Sequence, residues 1–161
     1  MNPKHWISTL PLLAAALAVV FLSSAALAQT EKKITRTALP PAVRKTVDAQ
    51  SKGATVKGYS KEVEKGKTYY EAELMVNGHT KDILVDASGN VVEVEEEVVL
   101  QSLPQPVKDG LAAKAGKGKI AKVESLTKRD KLVAYEAQVT NGTKRSEVQV
   151  GPDGKPLDHE E

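Results

Sequence analysis

The chain has 161 residues, 23 of them basic and 21 acidic, and its formal charge of +2 comes with both signs interspersed. That leaves no sustained basic stripe for a phosphate backbone, so nucleic acid is excluded as a partner. The absence of cysteine excludes disulfides, a cysteine nucleophile and a lipid-anchored leader, which needs a cysteine at its cleavage point.

In chain order, Lys4 and His5 precede an apolar stretch from Leu10 to Leu22, and Ser23-Ser24-Ala25-Ala26-Leu27-Ala28 follows with a small-x-small ending. This pattern predicts a secretory signal peptide over residues 1–28, cleaved after Ala28. The apolar run is short of the roughly 20 residues that cross a bilayer. The mature chain is therefore expected in the periplasm or outside the cell, with no stable membrane anchor after cleavage. Lys4 is the one charged residue before position 29, so 22 basic residues face 21 acidic ones from Gln29 onward.

The remainder repeats itself. Leu39-Pro40-Pro41-Ala42-Val43 recurs as Leu103-Pro104-Gln105-Pro106-Val107, 64 positions later, and Tyr70-Glu71-Ala72 recurs as Tyr135-Glu136-Ala137, 65 positions later. Asn77-Gly78 returns as Asn141-Gly142, and Gly89 as Gly154. Anchors in one order at a nearly constant offset mark a duplicated supersecondary unit, here over 29–99 and 100–161. A copy of about 64 residues buries too little surface for comfortable independent folding. The copies are therefore expected to share a core or an extended sheet.

Each copy opens on a helix. Leu39, Val43 and Val47 fall on one helical stripe, as do Leu103, Val107 and Leu111, with prolines at the first turn where amide hydrogens have no partner to lose. Ser102 is the expected N-cap of the second helix. Gly53 is expected to end the first helix, and Gly116 or Gly118 the second. Gly110, inside the second helix, costs about 1 kcal/mol against alanine and predicts the weaker of the two.

After each helix the period becomes two. Tyr70, Ala72, Leu74 and Val76 are expected inward, with Tyr69, Glu71, Glu73 and Met75 outward. In the second copy Tyr135, Ala137 and Val139 point inward, with Ala134, Glu136, Gln138 and Thr140 outward. This alternation marks an antiparallel strand with one covered face. Asn77-Gly78 and Asn141-Gly142 supply tight hairpins. Ile83 and Val85, matched by Val148 and Val150, are the inward residues of the next strand. Turns follow at 86–90 and 151–155, then a last strand clearest at Val92 and Val94. Earlier strands around Val56–Val63 and Ile120–Leu126 are too irregular to assign a register. The predicted fold is α+β: a tandem repeat of a helix packed on a three- to four-stranded antiparallel meander sheet.

Leu39-Pro40-x-x-Val43 ahead of a helix, followed by Tyr70-Glu71-Ala72-Glu73-Leu74 and a glycine-terminated hairpin, resembles the PepSY-like family, also described as β-lactamase-inhibitor-like. The resemblance covers nearly the whole mature chain in two tandem copies. It implies a small exported bacterial module with helices on one side of an antiparallel sheet. In the inhibitor that lends the family its name, tandem copies grip a target protein with a concave sheet face. This chain departs from that inhibitor in having no cysteine and few aromatic residues, which removes the basis for expecting a β-lactamase as its target.

Catalytic constellations are thin. His79 sits at a predicted hairpin and His159 near position 161, neither beside a serine in a G-x-S-x-G turn; both are read as solvated. Glu71 and Glu136 hold equivalent places and could meet as paired carboxylates, but an outward glutamate on a strand ordinarily keeps a sheet soluble. Glu93, Glu95, Glu96 and Glu97, with Asp158, Glu160 and Glu161, offer oxygen ligands of the kind calcium takes. They lack the spacing that wraps one ion, and Glu96 must point away from Glu93 and Glu95 along a strand. No metal site, catalytic residue or cofactor is therefore assigned.

An outward tyrosine, Tyr69, beside Met75 is the one aromatic hint of a contact surface. The expected function is an exported non-catalytic binding module that binds or inhibits another protein through the open sheet face. The candidate contact residues are Tyr69, Glu71, Glu73, Ala134, Glu136 and Gln138. A periplasmic envelope protein binding a small ligand or a cation is the alternative.

Overall fold

Eight strands form one antiparallel meander, each hydrogen-bonded to the next in chain order. The computed structural model describes residues 30–159 and 161; the expected signal peptide and its cleavage point lie outside the described residues. The strands are β1 (Thr30–Lys33), β2 (Thr55–Glu64), β3 (Lys67–Val76), β4 (His79–Asp86), β5 (Val91–Glu97), β6 (Lys119–Lys128), β7 (Lys131–Asn141) and β8 (Lys144–Val150). Helix α1 (Pro41–Gln50) precedes β2 and helix α2 (Gln105–Ala115) precedes β6. Among the described residues no helix is long and apolar enough to cross a membrane.

The α+β class and the two helix-plus-meander units stand, but each unit does not have a three- to four-stranded sheet of its own; of the two expected ways of supporting each other, the units take the extended sheet. β5 pairs with β6 from Glu93↔Lys128 to Glu97↔Glu124, so the two units are one continuous sheet. An unpaired β5 would present a row of free backbone groups as an edge, and β6 covers it. β1 adds a strand that no apolar alternation in Thr30–Lys33 announces; it pairs with β2 through Glu31↔Glu62 and Lys33↔Ser60. Among the described residues the second unit has no counterpart of β5. Pro156 stands where β5 would begin, and proline lacks the amide hydrogen a strand ladder needs.

The duplication extends to irregularities. β2 pairs with β3 through a register shift between Val56 and Gly58, and β6 pairs with β7 through one between Ile120 and Lys122. These bulges break the alternation at equivalent positions, which is why the sequence pattern of β2 and β6 is ambiguous.

Each helix covers its own core on the same side of the sheet. Leu39, Val43 and Val47 pack with Ala72, Leu74, Ile83 and Val85, supported by Tyr70 and Val94. Leu103, Val107 and Leu111 pack with Val123, Ala137, Val139 and Val150, supported by Tyr135 and Val148. The inward set expected for β3 and β7 is thus the core set.

The helix ends match expectation at Gly116 and differ from it elsewhere. Both N-caps are prolines, Pro40 and Pro104, without a side-chain cap bond. Ser102 instead closes a 3-10 turn, its hydroxyl donating to the Val99 carbonyl at 2.7 Å. Gly116, at φ +57, is the C-cap of α2, whereas α1 ends at Gln50 with Ser51 as its cap and Gly53 lies in the turn beyond. Gly110 is not simply a weak point. A Cβ built there would lie 2.1 Å from the Gly154 carbonyl oxygen, so the turn after β8 packs directly on the backbone of α2.

Candidate binding face

The helices leave the other face of the sheet uncovered, and the pairing register fixes which side chains it carries. Partners directly opposite on antiparallel strands share a face. One row runs Gly58↔Glu73, Glu73↔Asp82, Asp82↔Glu95, Glu95↔Leu126 and Leu126↔Ala134. A second runs Met75↔Thr80, then Glu97↔Glu124, Glu124↔Glu136 and Glu136↔Gln149. Between Glu73 and Tyr69, Glu71 pairs with Ser60 and Leu84. All six candidate contact residues therefore lie on one face.

The face is curved. Glu62 on β2 and Gln149 on β8 line one depression of about 240 Å3 together with Glu71, Asp82, Glu95 and Glu136. On a flat sheet six strand spacings would separate β2 from β8 by roughly 29 Å, so the strands must curl towards this side. Curling crowds the side chains: Ser60, Glu62, Glu124, Leu126, Ala134 and Gln149 are buried although no helix covers them. Ala134, expected exposed, is fully buried opposite Leu126, because a methyl group lies below its longer neighbours on a concave surface. Tyr69 is half-buried and lines a neighbouring depression of about 420 Å3 with Leu84, Val92, Glu93 and Lys128.

The expectation that Glu71 is an ordinary solubilising glutamate also changes. Ser60 Oγ donates to Glu71 Oε2 at 2.8 Å. Burial nevertheless pushes its carboxyl up from 4.5 to about 7, with Glu62, Asp82 and Glu73 adding repulsion. Glu136 accepts from Gln149 Nε2 at 2.7 Å. Each glutamate thus has a cross-strand donor of its own, and the two are not hydrogen-bonded to one another.

Between them sits the most perturbed group. Burial pushes Glu95 up from 4.5 to about 8, and Glu93, Glu124, Glu136 and Asp82 all oppose its charge. Asp82 is raised by burial first and by Glu124 next. Ligand atoms of Asp82, Glu95 and Glu124 lie within 4.8 Å of one another, as do those of Glu31, Glu71 and Glu73. Two lysines stand among them. Lys122 Nζ is 2.7 Å from Glu124 Oε1, and Lys128 Nζ is 3.5 Å from both Glu93 and Glu161.

Glu93, Glu95 and Glu97 share this face while Glu96 points to the helix side near Lys81, as their alternation requires. Both histidines are half or more exposed: His79 is 3.6 Å from Glu97, and His159 is 3.9 Å from Glu161 at the rim of the depression. Neither lies against a serine.

Comparison with known proteins identifies the frame. The model of the family described as "Putative beta-lactamase-inhibitor-like, PepSY-like" matches residues 12–91 and 68–156. The chain belongs to this family. No curated protein matches it. Among solved structures, this PepSY-like chain is similar to a "putative periplasmic" protein of Bacteroides eggerthii, at 19% identity and a TM-score of 0.59, over 73% of this chain and 85% of that one. It is also similar to a DUF2874 family protein of Bacteroides ovatus, with 19% identity, TM-score 0.58 and coverage of 74% and 84%. A "BLIP-like protein" of Bacteroides fragilis matches at 24% identity and TM-score 0.54, again over 74% and 84%. These likenesses establish the PepSY-like fold of the chain.

The acidic rows were missed by sequence reading in one respect. Outward acids on β3, β4 and β5 follow from simple alternation, but Glu62 and Glu124 lie on the bulged strands. A bulge changes the parity of every residue beyond it, so their faces could not be assigned from the pattern.

Proposed function

We propose that this PepSY-like chain is an exported, non-catalytic binding module that engages another protein through the open face of its sheet. The observation that carries the reading is the asymmetry of the sheet: both helices cover one side, while the other curls into a depression lined from β2 to β8. A stable interface needs about 800 Å2 per partner, and two fused sheets present that area where one would not. Export is supported by the apolar leader and by the "putative periplasmic" relative. A non-catalytic role is supported by the exposure of His79 and His159 and by the inhibitor-like family description.

Cation binding has a specific observation in its favour, the two groups of three carboxylates. Against it, Lys122 already neutralises Glu124 at 2.7 Å, and Glu31 of the other group is exposed on an edge strand.

The test is photo-cross-linking in living cells, with the reactive group at Tyr69 or Gln138 on the open face and at Lys45 or Lys108 on the helix side. Cross-links to one protein from the open face alone are expected. Cross-links from the helix side alone would overturn the reading.

A further inference from the structure

The chain as a whole is nearly neutral, yet the open face carries a carboxylate on each of six consecutive strands: Glu62, Glu71, Asp82, Glu95, Glu124 and Glu136. Five pairs on this face stand directly opposite each other with like charge: Glu31/Glu62, Glu73/Asp82, Asp82/Glu95, Glu97/Glu124 and Glu124/Glu136. Each such pairing is unfavourable in a sheet, so the fold retains repulsion that a cationic neighbour would relieve.

The second unit contains such a neighbour. The Lys122 ammonium lies on this face, 2.7 Å from Glu124 Oε1 and 3.4 Å from Thr80 Oγ1. At the repeat offset the first unit has Gly58 instead, after the same bulge and opposite Glu73, as Lys122 is opposite Gln138. A Cβ built on Gly58 would have the Glu73 carboxylate as its nearest neighbour, at 3.0 Å. The first unit thus has the acids, Glu71 and Glu73, without a lysine at the place of Lys122; Lys33 shares the face one strand away, opposite Ser60.

We infer that the open face takes a basic segment of its protein partner, and that a partner lysine enters beside Gly58, between Glu71 and Glu73, at the place equivalent to Lys122 in the second unit. This rests on the open face being the binding surface. Charge complementarity selects the occupant: an acidic or neutral segment would add to the five like-charge pairings or leave them unrelieved. The raised carboxyls at Glu71 and Glu95 fit the same account, since a bound ammonium favours their ionised forms.

The test is titration calorimetry of the mature protein, near neutral pH and low salt, with a synthetic peptide of alternating lysine and glycine, its glutamate counterpart and calcium chloride. The lysine peptide is expected to bind and the glutamate peptide not. Gly58→Lys supplies the missing ammonium in place. Its backbone φ is not positive, and the clashing group is the movable end of Glu73, so the variant folds. It should weaken lysine-peptide binding about tenfold or more, as removal of a close charge pair does, and Glu73→Gln should do likewise. Glu96→Gln, on the helix side of the same strand as Glu95, should leave binding unchanged.

Equal binding by Gly58→Lys, equal loss in Glu96→Gln, or displacement of the peptide by calcium would overturn the inference. Failure of the lysine peptide to bind, with cross-links still formed from Tyr69, would overturn it and leave the open face as the binding surface. Cross-links confined to the helix side would remove both.

Discussion

The two units of this chain have one backbone and two surfaces. Their inward residues correspond nearly one for one, Ala72 with Ala137 and Leu74 with Val139, and the bulges at Val56–Gly58 and Ile120–Lys122 coincide, although β6 has a second shift between Leu126 and Thr127 that β2 lacks. The outward residues have diverged. Ser60, Glu62 and Tyr69 in the first unit stand where Glu124, Leu126 and Ala134 stand in the second. The core of a duplicated fold is constrained by packing in both copies, whereas the uncovered face is free to specialise. Here it has done so unequally, with the buried apolar groups Leu126 and Ala134 in the second unit where Glu62 and Tyr69 stand in the first.

The largest expected effect tests the shared core. Leu74 is 1% exposed and Val139 4%, at equivalent positions on β3 and β7. Leu74→Ala should cost about 2–5 kcal/mol. Val139→Ala removes fewer methyl groups and should cost less, about 1–2.5 kcal/mol at roughly 0.8 per methylene plus the cavity. Chemical denaturation of both variants measures this. A larger loss at Val139 would mean that the second core, not the first, dominates stability.

The next effect concerns how helix meets turn, where the units differ. In the first, Thr46 Oγ1 donates to the Gly89 carbonyl at 2.6 Å. In the second, Gly110 takes the place of Thr46 and allows the Gly154 carbonyl into contact. Propensity alone predicts that Gly110→Ala stabilises α2 by about 1 kcal/mol. The 2.1 Å overlap with Gly154 predicts the opposite sign, a loss of about 1–3 kcal/mol of the kind overpacking causes. Thr46→Ala removes one hydrogen bond and should cost about 1 kcal/mol. The sign at Gly110 decides whether packing or propensity set that residue.

These sites show what sequence can carry. The inward stripes were legible because burial imposes period 3.6 on α1 and α2 and period 2 on β3 and β7. A shared core or an extended sheet followed from the small size of each copy, but which strands join the units was not legible, because β5–β6 pairing depends on backbone groups that every residue shares. Gly110 appeared as a defect because its use is a contact with Gly154, 44 positions away. Glu71 and Glu73 were placed on the correct face. Their environment was not legible, since the acids that perturb Glu71 come from β2, β3 and β4. Curvature brings them close, and curvature leaves no mark in a linear pattern.

The pH dependence of stability sharpens the electrostatic contrast. Glu95 faces Glu93 on its own strand, Asp82 on β4, Glu124 on β6 and Glu136 on β7, with Lys122 and Lys128 as the nearby cations. Its carboxyl is raised to about 8 in the fold, against 4.5 ordinarily. Between those values the folded chain keeps a proton that the unfolded chain has lost, so stability falls as pH rises through that window. Glu71, raised to about 7, acts in the same direction. Asp86 and Glu97 are lowered by hydrogen bonds from Asn90 and Thr80 and affect stability only under acid conditions, below their ordinary values. The thermal midpoint should therefore drop on moving from about pH 5 to about pH 8. Glu95→Gln should flatten that decline and raise the midpoint at the alkaline end. An unchanged decline in Glu95→Gln would place the repulsion elsewhere on the face.

The smallest effect isolates the position where the units differ most sharply in chemistry. Ser60 is fully buried and gives its hydroxyl hydrogen to Glu71, whereas its counterpart Glu124 is a buried carboxylate held by Lys122. The Ser60 bond favours the ionised form of Glu71 and opposes the effect of burial. Ser60→Ala removes that donor, so the Glu71 carboxyl should titrate above its present value of about 7. Below that pH Glu71 is protonated in either protein, and the bond to an ionised acceptor is absent from both. The substitution should therefore change stability little at about pH 5 and cost up to about 1 kcal/mol at about pH 8.5, the usual worth of one hydrogen bond. Carbon-13 NMR titration of the Glu71 carboxyl, with denaturation at the two pH values, measures both consequences. A cost equal at both would show that Ser60 acts by packing into the bend of the sheet. A cost confined to the alkaline side would show that it acts by holding a charge on the face of the first unit, as Lys122 does beside Glu124 in the second.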